Sequence, residues 1–201
     1  TAAVEISRQS RRYRVQPLPP PHYAVSLISY NFGNATLRSK NVRQALAYGI
    51  NRDEIYKRYL AISGADMLHG PFDEDSDNAA PGMNDYDYTP KKAIALLQSE
   101  GWRDTDNDKI MDRDGQPLRF RLFFPEGLSV DEQVVRQIEI DWLRLGIDVQ
   151  PIPIAANSLN DRLKSGDFDA VLHKHRFDES PESLEVFFCD GAGSGRFKYL
   201  N

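Results

Sequence analysis

Apolar and polar positions along this chain alternate between a period near two and a period near three and a half, and the switches mark its elements. Residues 23–30 (YAVSLISY) are β-prone and fairly apolar, which reads as a strand running into a turn at 31–34. Ala45, Leu46 and the run Tyr48 to Ile50 give a helix one buried face. Asn51 or Asp53 caps a second helix, whose apolar face is Ile55, Tyr59 and Ile62. Residues 71–88 are rich in Asp, Asn, Gly and Pro with almost no periodicity, which predicts an irregular surface loop. Thr89 is placed as an N-cap with Pro90 at the first helical position, and that helix runs to Gly101 with Ala93, Leu96, Leu97 and the later Trp102 toward the core.

The second half repeats the alternation of strand and helix. Residues 118–124 (LRFRLFF) alternate and then become continuously apolar, as a strand entering a sheet does. Ser129-x-x-Glu132 has the spacing of a capping box and opens a helix to Arg144, stopped by Gly146. Its buried face is Val134, Val135, Ile138, Trp142 and Leu145. A strand at 147–154, a short helix at 158–164 ended by Gly166 and a strand at 168–173 follow. Ser180-Pro181 starts a last helix through Phe188, and the Gly-rich segment 191–195 is a turn. Strands alternating with helices of this length predict an α/β layer structure.

With 201 residues the chain is long enough for one well-formed core. The formal net charge of −5 disfavours a general nucleic-acid surface; the one basic stretch, residues 8–14 (RQSRRYR), reads as a solvated strand edge. A single cysteine, Cys189, excludes an internal disulfide, and beside Phe187 and Phe188 it reads as a small buried hydrophobe. No apolar stretch approaches the roughly 20 residues that span a bilayer. The chain holds no Gly-x-Ser-x-Gly elbow, His-Glu-x-x-His pair or Gly-rich phosphate loop, so no catalytic set emerges and no cofactor is implied.

Five phrases, taken in order, carry a resemblance. They are NVRQALAYGINRDEIYKRYL at residues 41–60, MLHGP at 67–71, YDYTPKKAIALLQSEGW at 86–102, LGIDVQ at 145–150 and LKSGDFDA at 163–170. In this order and at these intervals the chain resembles the family 5 extracellular solute-binding proteins, the peptide and nickel receptors of ABC importers. The resemblance implies a type II periplasmic-binding-protein fold with a mixed sheet flanked by helices, of which this chain is the second of two lobes. Residues 1–22 would be an extended lead-in from the first lobe and 23–201 the lobe itself, in a chain cut from a longer protein. Tyr199 and Asn201 stand where the return to the first lobe would begin.

The implied function is capture of a peptide or related small solute between two lobes by hinge closure, without catalysis. The implied partners are that ligand and ABC permease subunits, with no nucleic acid bound through this lobe and a monomeric receptor. The implied location is periplasmic or extracellular, with a lipid anchor in the full-length protein. A sensor module of a transcription regulator, or a metal or metal-chelate binder, is the alternative. In peptide-binding members of the family, an Asp after an aromatic-Ala phrase, with a Pro a few residues on, pairs with the ligand's amino terminus. Asp178 and Pro181 match that Asp and Pro. A carboxylate in a closed cleft suits an ammonium because the desolvated pair is stronger than in water. The departures are His175 near the usual Trp, Phe177 for the small residue and Glu179 for the aromatic. With Arg176 these neighbours also suit an anionic group, so the ligand-binding candidates are Asp178, His175, Arg176 and Phe177.

Two metal readings stand beside these. His173 and His175 share a face if they lie on a strand, and with Asp178 would form a three-donor set. Asp104, Asp106, Asp108 and Asp112 alternate as in half of a calcium loop, but Lys109 stands where that loop needs Gly and Gly115 where it needs Glu. A plain acidic hairpin explains the same residues. His69-Gly70-Pro71 reads as a shaped turn.

Overall fold

The computed structural model describes residues 23–61, 67 and 85–177, and for Tyr23, Ala24, Arg176 and Phe177 the backbone alone. The expectations for Ile62, His69 to Pro71, Asp178, Pro181, Cys189 and both chain ends lie outside the described residues, as does most of the segment 71–88. A four-stranded mixed sheet organises the rest. Strand β1 (Tyr23–Tyr30) is antiparallel to β6 (Ala170–Phe177), and β6 lies parallel to β4 (Arg119–Pro125), which lies parallel to β5 (Asp148–Ile154), giving the order β1-β6-β4-β5. The α/β class with a mixed sheet, expected from the sequence, is therefore the observed one.

Helices cover both faces of that sheet. On one face lie α1 (Lys40–Tyr48), α3 (Pro90–Ser99) and α4 (Ser129–Leu143). Their Leu46, Leu97, Ile138 and Trp142 pack with Leu122, Phe124 and Leu172 of the strands in the larger core. Trp142 anchors this layer: its Nε1 donates to the Leu46 carbonyl at 3.0 Å and its ring meets Phe120 at 5.6 Å between centroids. On the other face α5 (Ala156–Ser165) lays Leu159 and Leu163 over Phe123 and Val171. Alternation along β4, with Leu122 and Phe124 to one layer and Phe123 to the other, is what lets one strand serve two cores.

Several expectations hold at the level of single residues, and others do not. Asn51 caps α2 (Arg52–Ile55), its Oδ1 accepting from the Glu54 amide at 3.1 Å. The chain then continues as a π-helical turn, Tyr56–Leu60, rather than as a longer α-helix. Gly166 ends α5 at φ 77°, the left-handed cap that glycine allows. Gly146 lies at φ 80°, and a Cβ there would meet backbone of Met111 and Lys109 at 3.1 and 3.2 Å, so the loop from α4 to β5 needs glycine on two counts. Thr89 sits at the N-cap of α3, but its hydroxyl donates to the Asp87 carbonyl at 2.9 Å instead of capping the helix.

The capping box at Ser129 is absent. Gly127, at φ 80°, turns the chain early enough that Leu128 becomes the N-cap, and no side chain caps the helix start. Ser129 is thereby the first helical residue, and Asp131 rather than Glu132 occupies the third. Strand β6 also outruns its expected end at 173. His175, Arg176 and Phe177 pair with Val25, Ala24 and Tyr23 of β1, so these candidates are strand residues and not members of a loop.

Candidate functional site

The three parallel strands end on one edge of the sheet, and the connections there diverge. From β4 the chain passes through α4 on one face to β5; from β5 it passes through α5 on the opposite face to β6, on the other side of β4. Strand order thus reverses between β4 and β6, the place in an open α/β sheet where a crevice forms beyond the carboxyl ends. The β4–β6 ladder is short, Leu122↔Ala170 and Phe123↔Val171. Beyond it β4 runs on to Pro125 beside β5 and β6 runs on to Phe177 beside β1, which leaves a fork.

Sequence places polar groups at this fork. On the α5 face of β6, His173 is 7 % exposed and its Nε2 lies 2.9 Å from Ser29 Oγ on the neighbouring strand. His175 follows two residues on, with the rings edge to face at 6.5 Å between centroids. The shared face expected from their spacing is therefore the observed arrangement. Burial, helped by the neighbouring His175, pushes the His173 imidazole down to about 4, and burial also lowers His175. His173 is accordingly neutral at physiological pH.

Lys174 faces the α4 side between the two histidines, its Nζ 3.8 Å from Asp131 Oδ1 at the start of α4. Asp131 and Lys174 were not foreseen. The signal that could have found Asp131 is the one-residue shift of the helix start set by Gly127. Of the predicted ligand contacts, His175 stands at the fork, Arg176 and Phe177 are placed by backbone as the last residues of β6, and Asp178 lies outside the described residues. The third donor of the histidine metal set, Asp178, falls with it.

The acidic turn lies elsewhere, in the connection leading to the small hairpin of β2 (Asp112–Arg113) and β3 (Gln116–Pro117). Carboxylate oxygens of Asp104, Asp106 and Asp108, all exposed, lie within 4.8 Å of one another. Each also accepts from a backbone amide: Asp104 from Lys109 at 3.1 Å, Asp106 from Asp108 at 3.2 Å and Asp108 from Ile110 at 2.7 Å. Asp112 does not join them; its carboxylate takes the Thr105 amide and hydroxyl at 2.8–2.9 Å. Lys109 has φ 74°, the left-handed conformation that a calcium loop fills with glycine.

Comparison with known proteins agrees with this architecture. The sequence profile of the bacterial extracellular solute-binding proteins, family 5 Middle, matches residues 3–194. The oligopeptide-binding protein AppA of Bacillus subtilis is 27 % identical over 164 residues, covering 80 % of this chain and 30 % of that protein. The nickel-binding periplasmic protein of Escherichia coli is 29 % identical over 150 residues, covering 74 % and 28 %. The structure of the oligopeptide-binding protein AppA from Bacillus subtilis in complex with a nonapeptide superposes with a TM-score of 0.77 at 25 % identity, over 90 % of this chain and 38 % of that one. The chain spans about 30 % of the length of these curated relatives.

Proposed function

Because this chain belongs to the bacterial extracellular solute-binding proteins of family 5, we propose that it forms one wall of a cleft in which a peptide or related small solute is trapped by hinge closure. The observation that carries this reading is the fork at the carboxyl ends of β4 and β6, where the polar side chains of His173, Lys174, His175 and Asp131 gather. The relatives named for binding oligopeptides and nickel support a receptor rather than an enzyme. In this proposal residues 23–201 are one lobe and 1–22 lead in from another. The receptor works as a monomer outside the cytoplasmic membrane, held there by a lipid anchor, and delivers its solute to ABC permease subunits.

Asp178 is proposed to take the ligand's amino terminus, with His175, Arg176 and Phe177 flanking it. Asp178 immediately follows β6 in sequence, so a ligand held there sits beyond the strand ends. Native mass spectrometry of the full-length gene product, purified without refolding, tests the reading. The expected result is a co-purified peptide mass that disappears in Asp178→Ala. A metal or metal-chelate mass lost in His175→Ala would replace the peptide proposal, and a protein that binds no peptide and no metal would remove both.

A further inference from the structure

We draw no further inference here: the strongest candidate, the exposed apolar patch of Leu128 and Val130 where β4 passes into α4 beside the fork, carries none because nothing in the structure shows what covers it.

Discussion

The two edges of the central sheet use polar residues in opposite ways. At the amino ends of β4 and β6 the network is saturated. Asp169 accepts from the Arg121 amide and Nε, both at 2.9 Å, and from Asn34 at 3.2 Å, and the Arg121 bonds help hold its carboxyl below the usual range despite burial. Asn31 donates to the Gly166 and Phe168 carbonyls at 2.9 and 2.7 Å and accepts from the Gly33 amide at 2.8 Å, which fastens the end of β1 to the entry of β6. At the carboxyl ends the start of α4 has no side-chain cap, and among the described residues Asp131 meets Lys174 at 3.8 Å while its side chain still reaches solvent. A saturated network fixes one geometry, whereas polar groups that still reach solvent at a strand-order reversal can exchange that water for something that arrives later.

The largest way to break the comparison is at the saturated edge. Asn31→Ala or Asp169→Ala leaves buried donors or acceptors without partners and should cost about 2–3 kcal/mol, measured by urea unfolding. The same measurement on Asp131→Asn should show under about 1 kcal/mol, the size of a first-turn charge effect. Equal losses at the two edges would erase the distinction.

A second effect of similar size depends on pH. His173 titrates near 4 in the folded protein against an ordinary value of 6.5, because burial beside Ser29 and His175 disfavours the cation. The unfolded chain therefore binds the proton more readily. The native state holds the benefit fully above pH 6.5 and loses it as pH falls toward 4, by about 3 kcal/mol in all. In His173→Gln that slope between pH 6.5 and 4 should flatten; an unchanged profile would mean His173 is solvated. The smallest expected effect is at the acidic turn, where Asp112→Ala removes the exposed Thr105 contacts and should cost about 0.5–1 kcal/mol.

What could be read from the sequence follows from what is local. Strand β1 was legible to its last residue because alternation and the following turn are written in consecutive positions. Gly166 and Gly146 were legible as stops because a left-handed residue after a helix is a glycine signature. The start of α4 was misread: Ser129-x-x-Glu132 has the right letters, but Gly127 sets the turn one residue earlier and the helix frame moves with it. The end of β6 was misread because His-Lys-His-Arg is polar enough to look like a loop. Its strand geometry comes from pairing with β1, a partner distant in sequence. The same remoteness hid Asp131 and Lys174, which only the fold brings to one fork.

Hydrogen–deuterium exchange of the full-length gene product, with and without a saturating mixture of short peptides, bears most directly on the contrast between the two ends of the sheet. Bound ligand should slow exchange at residues 126–131 and 173–178, on the carboxyl edge, and leave 31–34 and 166–169 unchanged. Protection confined to the amino edge, or none at either edge while the ligand is bound, would contradict it.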